Sequence, residues 1–390
     1  MTPISDAASA PSSPPNRLIV ISALGITQIF AWGTSYYLPA VLAQPIAADT
    51  GWPLTSVVGG LSLGLLAAGI VSPRVGRTIA KRGGRPVLAA SAGLMAAGLI
   101  GLSLAQSLAS FLVAWVVIGL GMGAGLYDPA FAMLGRLYGQ GGRSAITTLT
   151  LFGGFASTVC WPLSALLEAR YGWRGTCLIY AGLQLGMALP IYLFVLPREP
   201  RAAVDVPASA QPSAYQRLEP EPPRWELFLL IATTITLASI VSTVMSVHLL
   251  TVLRAKGLAL AAAVSLGALV GPCQVVARMI EMMIARLHHP IWTKVAATSL
   301  VTAGLAALWA GGPVFTLALV LYGAGIGLES IARGTLPLAI FGPARYPVIM
   351  GRIAMPSLIA QAAAPSIGAS LIEGVGIDRA LAAIVAAAAL

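Results

Sequence analysis

Apolar residues run along this chain in blocks, each long enough to hold one membrane crossing, and short polar or Gly/Pro-containing breaks separate them. A helix crosses a bilayer with about 20 predominantly apolar residues. Blocks of that kind lie near 18–44, 53–73, 86–105, 108–135, 144–168, 173–196, 225–253, 259–284, 291–310, 313–340, 346–372 and 377–390. They predict twelve spans, numbered one to twelve in that order. The last, IDRALAAIVAAAAL, is short for a crossing at about 1.5 Å per residue, so a stunted or truncated final helix is expected.

The breaks are unequal. Between spans six and seven, Pro197 to Arg224 holds seven prolines and charges of both signs, the pattern of an extended linker. Residues 1–17 are rich in Ala, Ser and Pro and lack the basic region and apolar core of a signal peptide, which predicts a disordered cytoplasmic tail. The organisation expected is therefore a tail (1–17), a six-helix bundle (18–196), a cytoplasmic linker (197–224) and a second six-helix bundle (225–390).

The two bundles echo each other. GMGAGL at 121–126 recurs as GAGIGL at 323–328, and SLG at 62–64 recurs at 265–267. Pro162 and Pro365, and likewise Arg143 and Arg345, repeat at offsets of 202 or 203 residues. Each match links span n to span n+6, as a parallel duplication about an axis along the membrane normal requires, and such a duplication sets a substrate site at the interface of the halves. The fold class predicted is an all-α membrane protein of two pseudo-symmetric bundles.

Composition agrees. Charged residues make up 9% of the chain, against about 25% in soluble domains. The net charge of +10 does not signal nucleic acid, because 15 of the 23 Lys and Arg residues fall in segments on one side of the predicted membrane, five on the other and three inside spans. That is the positive-inside asymmetry, and it puts the N-terminus in the cytoplasm. The three cysteines lie in apolar runs without metal-ligand spacing. No Walker sequence, metal cluster or nucleophile arrangement is present, so no cofactor, metal or catalytic residue is expected and transport must run on gradients. The Gly-x-Gly-x-Gly runs follow no strand and read as close helix packing.

Charges inside spans carry the candidate chemistry. A charge near the bilayer centre costs about 2.5–3.5 kcal/mol even on lenient scales, so it must face protein or water. In span eight, Gln274, Arg278 and Glu281 share a helical face. Arg278 is the predicted anion-binding group, because a guanidinium takes a carboxylate bidentately; the competing reading is a permanent pair with Glu281 or Glu329. Glu281 and Glu329 are the candidate proton-coupling groups, and Glu329 and Arg333, four apart in span ten, are substrate-binding candidates that can also pair with each other. Asp128 is expected to bind an Arg of the 74–85 loop or to cap an inner gate, with Arg352 in the mirrored part. His248, His288 and His289 read as solvated surface, and Gln184 and Gln361 as lone amides.

The loop GRTIAKRGGRPVL (76–88) resembles the signature between spans two and three of the major facilitator superfamily, with Gly76, Arg77, Gly83, Arg85 and Pro86 matching and Ala80 where the family has Asp. GMGAGLYDP in span four and GWR at 172–174 fit the same family. The resemblance implies gating roles for Arg77 and Arg85, and a cavity lined by spans one, four, seven and ten. Gln28, Trp32 and Tyr36, which share one face of span one, would then be pocket walls. Val117 stands where many drug/proton antiporters have Arg, and Cys160-Trp161-Pro162-Leu163 keeps only the Pro of the antiporter motif.

The stretch 50–77 also resembles the start of span two in the monocarboxylate and oxalate/formate porter branch, which carries a substrate-binding Arg where Arg278 stands; Gly271-Pro272 and Met282 depart from that branch's pattern. The expectation is a monomeric secondary transporter of a bacterial inner membrane, moving a small organic anion with proton coupling or exchange. The alternative is efflux of drugs or amphipathic cations on the same fold, with the acids essential in place of Arg278.

Overall fold

The computed structural model describes residues 16–198, 225–312 and 314–390. The predicted tail up to residue 15 and the linker from 199 to 224 lie outside the described residues. Within them every regular element is helical. Eight helices are long and apolar enough to cross a membrane, and two of these, Gly142–Val195 and Phe315–Val375, each contain two spans. The reason is the same in both: Gly172 and Gly342 take φ of +67° and +71°, the left-handed region open to glycine, and turn the chain back between crossings. Span one adds Arg17–Gly33 and Pro39–Thr50, and span twelve is the short Ile377–Ala389.

Several spans are broken near their middle, and the breaks place the polar groups. Span four consists of Leu108–Gly125 and Tyr127–Tyr138, separated by Leu126 in an extended conformation. Pro129 has no N–H to return to the Gly125 carbonyl four residues back. That carbonyl instead accepts a bond of 2.7 Å from Gln28 Nε2 of span one. Span five breaks after Gly154, and span eight divides into Leu260–Gly267 and Val270–Ile284.

The repeated Gly-rich stretches do the same work in each half. Gly121 and Gly125 abut span three and Gly123 abuts span two, while Gly325 abuts span nine and Gly323 and Gly327 abut span eight. A Cβ at any of these six positions would overlap a neighbouring helix, so the runs are close-packing devices.

The halves meet mainly toward the end that carries the 74–85 loop, called here the basic end. Gly69 and Gly76 of span two lie against 347–359 of span eleven, Gly135 of span four against Tyr346, and Gly334 of span ten against Phe131 and Ile146. At the opposite end a clamp lies within one half: Trp173 Nε1 donates to Asp49 Oδ2 at 2.9 Å, and Arg174, also bonded to Asp49, stacks 4.1 Å over the Trp173 ring. The GWR motif thus ties the start of span six to the end of span one.

Candidate functional site

Arg278 stands on the broken span eight, 5% exposed. Its Nε donates to Gly327 O at 3.3 Å and Ser330 Oγ at 3.0 Å, Nη1 to Thr150 O at 3.1 Å and Nη2 to Gln274 Oε1 at 3.3 Å. All four acceptors are neutral. Among the described residues no carboxylate pairs with it, and two of its five N–H donors have no acceptor. The competing reading of a permanent pair with Glu281 or Glu329 is therefore corrected. Room for the guanidinium comes from the other half: a Cβ at Gly154 of span five would overlap Nη1, and one at Gly153 would overlap the Tyr127 hydroxyl.

Each candidate acid has its own cation. Asp128 accepts from Arg333 in a bidentate pair, Nε to Oδ1 at 3.0 Å and Nη2 to Oδ2 at 2.9 Å. The Asp128 partner is thus not an Arg of the 74–85 loop but one in span ten, so the pair bridges the halves. Arg333 also donates to Ser357 and Ser239. Glu329 does not reach Arg333 or Arg278; it accepts from Lys294 Nζ at 2.7 and 2.8 Å. Both belong to the second half, and Lys294, counted with the cytoplasmic charges, lies within the helix Pro290–Ala310.

Glu281 is 3% exposed and accepts from Thr293 Oγ1 at 2.7 Å. Arg143 of span five and His288 approach it at 3.4 Å each, and Arg143 also donates to the His288 carbonyl. His288 is therefore half-buried in a second contact between the halves and not solvated surface; His289 is exposed, and His248 packs on Gly368 with Nε2 3.0 Å from Pro365 O.

The gating candidates divide. Arg77 and Arg352 are exposed, with no polar partner among the described residues. Arg85 donates to Leu193 O, which joins spans three and six of one half and gives it no hold on the other. Where the family's Asp is missing, Arg136 Nη1 donates 2.6 Å to the Ala80 carbonyl. Gln184 donates to Thr34 at the break in span one, and Gln361 bonds Ser357.

Above Arg278 lies a run of rings. Tyr127 stacks on Phe131 with centroids 5.0 Å apart, Trp32 sits 5.0 Å from Tyr127 and 5.4 Å from Tyr36, and Tyr37 sits 6.2 Å from Trp32 and 6.1 Å from Trp161. Tyr127 donates at 3.4 Å to Thr150 O, the carbonyl that also accepts from Arg278. Trp32 Nε1 and Gln28 Oε1 are buried without a partner. Spacing along span one singled out Trp32, Tyr36 and Gln28 but not Tyr37, Tyr127, Thr150, Ser330 or Gly154, which the structure places beside them or beside Arg278. Of the latter only Tyr127 carried a signal, standing directly after the Gly-rich run; Thr150 acts through its carbonyl, Gly154 through the absence of a side chain, Ser330 through its hydroxyl and Tyr37 through its ring.

Residues 24–365 match the family model of the Major Facilitator Superfamily. The rat protein "Monocarboxylate transporter 3" is 33% identical over 172 residues, which cover 43% of this chain and 34% of that protein. The match thus spans about a third of the curated relative's length. Among solved structures, the human organic anion transporter MFSD10 (TETRAN) superposes with a TM-score of 0.76 at 18% identity, covering 96% of this chain and 98% of that one. FucP in the outward conformation gives 0.76 at 14% identity, covering 95% and 97%. At these identities the structures speak for the fold. With the paired bundles, the breaks and the family match over most of its length, the chain belongs to the Major Facilitator Superfamily.

Proposed function

We propose that this protein is a secondary transporter of a small organic anion, bound by Arg278 at the interface of the halves and moved by alternating access. The observation that carries the reading is a buried guanidinium with only neutral partners and two unused N–H donors. An isolated charge is expensive in such a place unless a counter-ion arrives, and a carboxylate fits the fork of an arginine bidentately. Names borne by relatives, a monocarboxylate transporter and an organic anion transporter, point the same way.

The contacts at the basic end support a state closed there. For the site to open to that side, Asp128–Arg333 and Arg143–Glu281 must both separate, since each joins the two halves. Glu281 is the better proton-coupling candidate of the two named, because protonating it removes the charge that Arg143 and His288 face. Glu329, paired with Lys294 inside one half, need not change partner. On the positive-inside distribution we assign the basic end and the N-terminus to the cytoplasm of a bacterial inner membrane. The efflux alternative requires an acid free to take a cation, whereas these three acids are each matched to a basic residue.

Proteoliposome uptake tests the proposal. Arg278→Ala should abolish transport of an organic anion while the purified protein remains monodisperse; unaltered uptake overturns it.

A further inference from the structure

Above the anion group the geometry says what else the ligand carries. The rings of Trp161, Tyr37, Trp32 and Tyr127 follow one another at centroid spacings of 6.1, 6.2 and 5.0 Å. The first is half exposed, at 46%, and the last hydrogen-bonds the carbonyl that also holds Arg278. These rings come from spans five, one and four, so three separate helices converge on one line leading down to the guanidinium. Core packing alone explains the stacked pair Tyr127–Phe131, since Phe131 is fully buried. It does not explain a buried Trp32 Nε1 with no acceptor beside that line. A buried donor without a partner is costly, and one left so at a binding site is satisfied by what binds.

We propose, resting on the reading of Arg278 as the anion group, that the substrate is a planar aromatic carboxylate bearing a hydrogen-bond acceptor away from its acid group. The carboxylate takes the two free N–H donors of Arg278, the ring lies among Trp32, Tyr37 and Tyr127, and the acceptor meets Trp32 Nε1. Aromatic side chains offer faces and edges to a flat ring, a preference that a short aliphatic acid does not use. A sugar would need several side-chain hydrogen-bonding groups, whereas the four residues of this line offer three hydroxyls or N–H groups not otherwise engaged, on Trp32, Tyr37 and Trp161.

The test is a thermal-shift titration of the full-length purified protein with 4-hydroxybenzoate, benzoate, cyclohexanecarboxylate, lactate and benzamide, repeated on Arg278→Gln and Trp32→Phe. A ligand that binds the folded state raises its melting midpoint by an amount that grows with the logarithm of its concentration over Kd, so shifts at equal concentration give the ranking. The expected order is 4-hydroxybenzoate first, benzoate second, the two aliphatic acids at least tenfold weaker, and benzamide without effect. Trp32→Phe should weaken 4-hydroxybenzoate about tenfold, the worth of one neutral hydrogen bond, and benzoate less than threefold. If lactate or cyclohexanecarboxylate stabilises as well as the aryl acids and Arg278→Gln removes the effect, the aromatic proposal fails and the anion reading stands. If benzamide matches benzoate, or Arg278→Gln leaves the shifts intact, the anion reading itself falls. The wild-type ranking decides between these outcomes even where a variant fails to fold.

Discussion

Two arginines inside the second half show how differently the same side chain can be held. Arg333 meets the carboxylate of Asp128 in a bidentate pair and adds two serine hydroxyls. Arg278 meets two carbonyls, one amide oxygen and one hydroxyl, with no negative charge opposite. Both sit where spans of the two halves touch, so location does not separate them. What separates them is completeness: Arg333 has a carboxylate opposite it that ties the two halves together, and Arg278, with neutral partners only, is the group we propose to take an anion.

The difference predicts opposite signs for similar changes. Asp128→Asn leaves Arg333, 16% exposed, without its counter-charge, a change that costs about 3–5 kcal/mol where such a pair is fully buried and somewhat less here. A fall of the ligand-free melting midpoint by many degrees is expected, with partial recovery in Asp128→Leu/Arg333→Met. Arg278→Gln removes a charge that has no partner, so its ligand-free midpoint should match or exceed that of wild type although transport is lost. Differential scanning fluorimetry on the three variants reads both results together.

Next in size is Gly154→Ala. The added methyl overlaps Arg278 Nη1, so the guanidinium must move, and anion affinity should fall at least tenfold (about 1.4 kcal/mol) with little change in expression. Ligand-dependent thermal shift measures it. A silent Gly154→Ala would mean that Arg278 can shift without consequence, against the proposed geometry.

A smaller effect is expected where Arg143 and His288 face Glu281. Arg143 and His288 are partly exposed, both distances are 3.4 Å and Thr293 remains bonded to the acid, so Arg143→Gln should cost on the order of 1 kcal/mol. Its consequence is conformational: a cysteine placed at the basic end should react faster with a membrane-impermeant maleimide from that side. Smallest of all is Glu329→Gln/Lys294→Met. The pair lies within one half, so uptake should stay within about threefold of wild type, since matched replacement of a buried ion pair is often close to neutral.

Much of this could be read from the chain before its structure. Block length gave the spans, because the bilayer acts as a uniform solvent of fixed thickness, and the repeats gave the paired bundles. Arg278 stood out because charge at depth is rare. Partner choice was not legible in the same way. Asp128 and Arg333 lie 205 residues apart, and spacing along one helix favoured Glu329 as the partner of Arg333, whereas the contact between spans four and ten decided the matter. The helix breaks at Leu126 and Gly154 and the space left by a missing Cβ set the aim of Tyr127 and Arg278, and neither leaves a periodic trace in sequence.

Whether Arg278 waits for a carboxylate is read most directly from the binding of benzoate and benzamide to wild-type protein and to Arg278→Gln by isothermal titration calorimetry. Wild type should prefer the acid over its neutral amide by at least tenfold, about 1.4 kcal/mol, and the variant should show no preference. Equal affinities in wild type, or a preference that survives in Arg278→Gln, would contradict that role of Arg278.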